Sequence, residues 1–145
     1  MRRAVRALFL ATSLSGLMAA SVQANAGGVA AIPLNNGQET TDAKYGGSGT
    51  FAWWVDGGDL CYSLSVKGLT SAPFAAHIHG IAARTVAAPI VVPLTPPSAA
   101  TGTSTGCATP SSEVLAAIVA NPTSYYVNVH TAAFPGGEVR GQLKK

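Results

Sequence analysis

Residues 126–143 read YVNVHTAAFPGGEVRGQL and decide the fold. Two runs of alternating apolar and polar residues, Tyr125–Thr131 and Gly137–Leu143, flank the turn residues Phe134-Pro135-Gly136-Gly137. Alternation with a period of two is typical of β-strands that bury one face. Because Pro and Gly favour tight turns, the stretch predicts a β-hairpin.

This hairpin has an apolar and a polar face. The apolar positions, expected to face the core, are Val127, Val129, Val139 and Leu143. The opposite, outer face then carries Asn128, His130, Glu138, Arg140 and Gln142. Since the turn brings the two strands side by side, we expect Arg140 to lie near His130. The alternative for Arg140 is a surface ion pair with Glu138, which would contribute little to stability.

Further short β-type runs are separated by Gly, Pro and Asp turn signals, at the spacing expected of an antiparallel sandwich or barrel. The clearest is a second hairpin, Gly49–Val55 and Leu60–Val66, joined by Asp56-Gly57-Gly58-Asp59. The other predicted strands are Val29–Leu34, Ala75–Gly80 and Pro89–Leu94. The sequence therefore predicts an all-β fold, an antiparallel Greek-key-like β-sandwich or barrel with one short helix.

The predicted helix spans Pro110–Ala120. Thr109 is the expected N-cap, Pro110 suits the first helical position, and Asn121-Pro122 ends the helix. The preceding segment, residues 95–106, is rich in Thr, Pro, Ser and Gly and is predicted to be a long loop.

The N-terminus predicts export from the cytoplasm. Three arginines precede a short apolar run, and Ala24-Asn25-Ala26 fits the A-x-A cleavage pattern of a secretory signal peptide. We expect residues 1–26 to be the signal peptide, cleaved after Ala26, and residues 27–145 to form a single domain that is secreted or periplasmic. No later segment is long or apolar enough for a transmembrane helix, so no membrane span is expected after cleavage.

Charge argues against a nucleic-acid partner. Of nine Lys and Arg residues, three precede residue 27, whereas all six acidic residues follow it. The predicted mature chain is therefore neutral, and it has no basic stripe with interleaved aromatic residues of the kind that binds nucleic acid.

Cys61 and Cys107 are the two cysteines of the chain. In an oxidising compartment such a pair more often forms a disulfide than a set of metal ligands. We expect Cys61–Cys107 to be a disulfide that ties a loop to the outer side of a strand, with free thiols or metal ligation as the alternatives.

The three histidines suggest a metal site. His77 and His79 lie in one predicted strand, two residues apart and therefore on one face, while Ile78 points to the core. His130 also faces outward, on another strand. If these strands are neighbours, three imidazoles converge, and neutral imidazole is a ligand for copper or zinc. The alternative is that the histidines are exposed or bonded to backbone carbonyls.

The chain resembles the CHRD domain family, named for the domain in chordin and widespread in bacterial secreted proteins. The resemblance is carried by Gly37-Gln38-Glu39, Leu60–Leu69, Ala75-Ala76-His77-Ile78-His79-Gly80, Val91-Val92-Pro93-Leu94 and above all residues 126–143. The chain departs from the family pattern after Glu39 and after Gly80. Both departures concern loops.

A fainter resemblance is to the copper half of copper,zinc superoxide dismutases, which are also β-sandwich proteins with an internal disulfide. It implies that His77, His79 and His130 are copper ligands and that Arg140 is a catalytic residue guiding the superoxide anion. The bridging histidine and the zinc ligands of those enzymes have no counterpart here, so the resemblance implies a copper-only site.

Three functions compete. The first is a copper-only superoxide dismutase acting on a small anionic substrate at an outer face open to solvent. The second is a non-catalytic extracellular module that binds copper or zinc, or adheres to a protein partner. The third, a zinc hydrolase, ranks last because the sequence offers no obvious general base, Glu138 being the only acidic residue with a route to the site.

Overall fold

A computed structural model describes residues 30–44 and 46–145 of the chain. The predicted signal peptide, its cleavage site and Val29 lie outside these residues. Eight strands are present in the described part, and every neighbouring pair is antiparallel: β1 (Ile32–Asn35), β2 (Ser48–Asp56), β3 (Asp59–Lys67), β4 (Ala75–His79), β5 (Ile90–Leu94), β6 (Gly102–Ala108), β7 (Tyr126–His130) and β8 (Val139–Gln142).

The strands form one sheet in the order β5-β4-β7-β8-β1-β2-β3-β6, which curls into a nearly closed barrel. The edge strands β5 and β6 are linked through Thr95, the residue that follows β5. The Ser104 hydroxyl of β6 donates to the Thr95 carbonyl (2.7 Å), and the Thr95 N–H donates to the hydroxyl of Tyr62 on β3, the neighbour of β6 (2.8 Å). The prediction of an all-β fold with one short helix is confirmed.

The barrel interior holds the core that alternation predicted. Val127, Val129 and Val139 are fully buried there, as are Ile78 and Phe51. Each of these residues alternates with a neighbour that points to the outer face. The alternation of apolar residues along each strand therefore determines which side chains lie on the outer face.

One strand was missed. Residues 95–106 were predicted to be a loop, but β6 begins within this segment at Gly102. Its sequence GTSTGCA has no apolar alternation, and its position depends on pairing with β3 over the whole strand. The predicted disulfide is present, and Cys61 lies directly opposite Cys107 in this pair. It thus joins two neighbouring strands rather than a loop and a strand.

The helix α1 (Ser112–Ala120) begins two residues later than predicted. Ser111, not Thr109, is the N-cap and accepts a hydrogen bond from the Val114 N–H (3.3 Å). The Thr109 hydroxyl instead donates to the Asp59 carboxylate (2.7 Å). The predicted end at Asn121 is confirmed. Within the described residues, no helix is long and apolar enough to cross a membrane.

Candidate metal centre

Neighbouring strands bring the three histidines together. β4 pairs with β7 so that Ala75 lies opposite His130 and His77 lies opposite Asn128. His79, two residues further along β4, shares the outer face with His77. One ligand nitrogen from each of His77, His79 and His130 lies within 4.8 Å of the others. The sequence predicted that the three imidazoles converge if the two strands are neighbours, and both conditions hold in the structure.

Backbone carbonyls orient two of the rings. His79 donates from Nδ1 to the Ala88 carbonyl (2.7 Å), and His130 donates from Nδ1 to the Pro135 carbonyl (2.9 Å). A carbonyl accepts and cannot donate, so Nδ1 carries the proton in both rings and Nε2 carries a lone pair. This arrangement is common among metal-binding histidines, whose second nitrogen is usually held by a carbonyl or carboxylate.

The third ring completes the cluster. His77 Nδ1 lies 3.0 Å from His130 Nε2. The Nε2 atom of His79 is buried without any hydrogen-bond partner. A buried acceptor without a partner is costly, and a bound cation would remove that cost. The predicted alternative, histidines bonded to carbonyls, accounts for Nδ1 of His79 and of His130, and His130 Nε2 has His77 Nδ1 as its partner, but the Nε2 atom of His79 is left unexplained.

All three imidazoles are held neutral. Burial, together with the neighbouring His130 and His79 rings, lowers the pKa of His77 to about 4. Burial is also the main reason why the pKa of His79 and the pKa of His130 are lowered. Since a protonated imidazole cannot bind a metal, a cluster that is neutral at physiological pH is ready for ligation.

The outer face around the histidines is not open to solvent, contrary to the sequence-based expectation. His79 and His130 are buried, and His77 alone is half-exposed. The segment 81–89, which we call the cover segment, and the turn 134–137 account for the backbone carbonyls that hold the two buried rings. Alternation predicted the correct face of each strand, but it carries no information on which loops cover that face.

Arg140 lies close to the cluster and is fully buried. Its guanidinium donates to the carbonyls of Ala83 (2.7 Å) and Val86 (2.8 Å) in the cover segment. The same group sits 3.2 Å from the ring centre of Tyr126, which stacks on His79 at 4.7 Å. Arg140 therefore fastens the cover segment over the sheet and contacts the histidine cluster through Tyr126.

The alternative of a surface pair between Glu138 and Arg140 is wrong. Glu138 is fully buried and its carboxylate accepts hydrogen bonds from Thr70 (2.9 Å from the backbone N–H, 2.7 Å from the hydroxyl) and Thr131 (2.6 Å). It thus has a separate structural role.

Glu39 and Asn128 are site residues that the sequence analysis did not select. Burial raises the pKa of Glu39 to about 7, although Arg140, the Thr40 backbone and Asn128 each lower it. Asn128 also raises the pKa of His79, and its backbone lies opposite His77 on one side and Arg140 on the other. Glu39 Oε1 and Asn128 Oδ1 are, with His79 Nε2, the buried side-chain atoms of the described residues that lack a hydrogen-bond partner. Two sequence features pointed to these residues. Glu39 belongs to the Gly37-Gln38-Glu39 segment of the family resemblance, and the alternation of β7 places Asn128 on the outer face.

Comparison with known proteins bears on the family alone. The family model described as the CHRD domain matches residues 30–143. No curated protein and no solved structure matches the chain.

Proposed function

Because the chain belongs to the CHRD domain family, we propose that it is an extracellular module that binds one copper ion through His77, His79 and His130. The observation that carries the proposal is the buried Nε2 atom of His79, which has no partner and lies among two other ligand nitrogens. The Nδ1 anchors of His79 and His130 support it, because they place the lone pair of each ring on Nε2, the nitrogen that belongs to the cluster.

Copper is the proposed ion because of the donor set. The cluster offers imidazole nitrogen, which suits copper, zinc, iron and nickel, and contains no carboxylate or thiolate. Among divalent first-row ions, copper binds most tightly to a given site of this kind. Zinc is the alternative ion. When bound, copper would supply a redox-active centre, and three protein ligands would leave a coordination position free.

We rank a binding module ahead of a copper-only superoxide dismutase. The dismutase hypothesis requires Arg140 to attract an anion, whereas the donors of its buried guanidinium are engaged by Ala83, Val86 and Gln142. Activity of the copper-loaded protein no greater than that of an equal amount of peptide-chelated copper is expected. A much higher activity, reduced by Arg140→Gln at unchanged copper affinity, would favour the dismutase.

The test is a titration of the exported, metal-free protein with Cu(II) and Zn(II). We expect one copper per chain, tighter binding of copper than of zinc, and nitrogen hyperfine structure in the electron paramagnetic resonance spectrum. Each of His77→Ala, His79→Ala and His130→Ala should weaken binding by about tenfold or more, since losing an outer partner of a ligand already has that effect.

Arg84→Gln is the matched control, because Arg84 is an exposed residue of the cover segment. This variant should bind copper like the parent. Circular dichroism should show that the histidine variants remain folded. Equal copper affinity of the parent and the triple histidine variant would overturn the proposal.

A further inference from the structure

Four large apolar side chains stand exposed on the segments that border the histidine cluster. They are the four most exposed large hydrophobic residues of the described chain: Phe74 (61%), Ile81 (76%), Val86 (52%) and Ile90 (52%). Exposed apolar groups that gather in one region, rather than being scattered singly, mark interaction sites.

Contacts with the cluster locate two of these side chains, Phe74 and Ile90. The ring centre of Phe74 lies 6.2 Å from that of His130, and the Phe74 N–H donates to the His130 carbonyl (3.1 Å). Ile90 lies opposite His79, and the exposed Pro93 lies opposite His77. Directly opposite residues of an antiparallel pair share a face, so Pro93 flanks His77 on the outer side. Ile90 is paired with His79 beyond an irregularity in the register and is exposed. We call Phe74, His77, Ile90 and Pro93 the β4–β5 face.

This face has almost no fixed charge. Between Gly68 and Ser112 the sequence contains one Lys, Arg, Asp or Glu residue, Arg84. Arg140, the other cation near the cluster, is buried and hydrogen-bonded. Electrostatic steering of a small anion, or adhesion to anionic lipid, needs clustered positive charge. A neutral, apolar surface instead matches a neutral, apolar partner.

Resting on the copper site proposed above, we propose that the β4–β5 face docks a segment of another protein whose methionine thioether ligates the copper ion in its Cu(I) state. His77 is the one partly exposed ligand, so a group that reached a bound ion from solvent would pass beside His77, on this face. Thioether is a soft ligand that selects Cu(I), and methionine is itself apolar and adaptable in packing. Apolar side chains flanking that methionine pack on Phe74 and Ile90.

The partner is a different protein, not a second copy. The chain has methionine at positions 1 and 18 alone, both inside the predicted signal peptide. A second copy of the predicted mature chain therefore has no thioether to offer.

The experiment uses the exported full chain loaded with Cu(I) and two synthetic peptides, acetyl-Ala-Leu-Met-Leu-Ala-amide and its analogue with norleucine in place of methionine. Norleucine keeps the apolar shape and removes the sulfur. We expect the loaded protein to bind the methionine peptide about tenfold or more tightly than the analogue, and the metal-free protein not to discriminate between them. With each variant saturated with Cu(I), Phe74→Asp and Ile90→Asp should each weaken binding of the methionine peptide by about tenfold, as loss of a central apolar anchor does.

Val55→Asp is the matched control, because Val55 is an exposed apolar residue on β2, which carries no histidine. It should leave peptide binding unchanged. Equal affinity for the two peptides, or concentration-dependent dimerisation abolished by Phe74→Asp, would overturn the proposal. So would binding to neutral phosphatidylcholine vesicles that Phe74→Asp abolishes. Copper titration is read independently, so copper binding without peptide discrimination overturns the docking alone, whereas failure to bind copper overturns both proposals.

Discussion

A β-carbon on Gly137 would lie 2.6 Å from both carboxylate oxygens of Glu39. Gly137 also has a φ of 126°, a region that residues with a side chain rarely adopt. The same turn presents the Pro135 carbonyl to His130. The close approach of these two residues therefore links a buried carboxyl group to the position of a candidate metal ligand.

Substituting Gly137 should disturb both the buried carboxyl group of Glu39 and the position of His130. We expect Gly137→Ala to lower the free energy of unfolding by about 2 kcal/mol or more, because the φ is strained for alanine and the new methyl group collides with Glu39. Copper affinity should fall as well, because the turn holds His130. Urea denaturation and copper titration measure the two effects. Gly58→Ala is the control, since a β-carbon there meets nothing within 4 Å. Equal stability of the two variants would contradict this prediction.

The stability of the metal-free protein should depend on pH through groups with opposing effects, the histidines of the cluster on one side and Glu39 on the other. The folded-state pKa of His77 is about 4, against an ordinary value of 6.5, so between these values the unfolded chain binds the extra proton. Acidification from pH 6.5 to 4 therefore favours unfolding. The folded-state pKa of Glu39 is about 7, against an ordinary value of 4.5, so the folded chain binds the extra proton in that range. Acidification from pH 7 to 4.5 therefore favours folding.

Variants separate these contributions. Glu39→Gln should make the loss of stability on acidification steeper between pH 6.5 and 4.5, because the opposing contribution of Glu39 is removed. His77→Ala should make it shallower. Urea midpoints measured from pH 4 to 8 at constant ionic strength test both expectations. Parallel pH profiles for the parent and the two variants would show that neither group is perturbed by folding.

Arg140 should be a stabilising residue. Arg140→Gln leaves the carbonyls of Ala83 and Val86 without their charged donor, so we expect a loss of about 2 kcal/mol or more in the free energy of unfolding. Faster amide hydrogen exchange should appear in the cover segment. Arg84→Gln, which changes an exposed arginine of the same segment, should alter stability by about 0.5 kcal/mol at most. Indistinguishable stabilities would mean that the buried guanidinium does not hold this segment.

The disulfide should matter for stability and not for the metal. Its cysteines are 46 residues apart, and the chain-entropy model assigns about 4 kcal/mol to closing a loop of this length. We expect the Cys61→Ala, Cys107→Ala double variant to unfold at clearly lower urea concentration. Copper affinity at a temperature where the variant is folded should be unchanged, because β3 and β6 carry no histidine. A large loss of copper affinity in the folded variant would contradict the separation of the two sites.

Local pattern was enough for most elements. Alternation located both hairpins to within two residues at each strand end, and Asn121-Pro122 located the end of α1. It failed at β6, whose Thr, Ser and Gly residues have no apolar face to detect. That strand is specified by its partner β3, which is 46 residues away at the paired cysteines.

The sequence by itself determined which face of each strand His77, His79 and His130 occupy, because the direction of successive side chains in a strand is a local property of the backbone. Only the tertiary structure decided that β4 and β7 are neighbours and that the cover segment contacts His79. It also decided that Arg140 donates its hydrogen bonds to that segment. It alone also brought Glu39 next to Asn128. These features depend on long-range packing and on the positions of irregular loops. Neither long-range packing nor loop position produces a periodic pattern in the sequence.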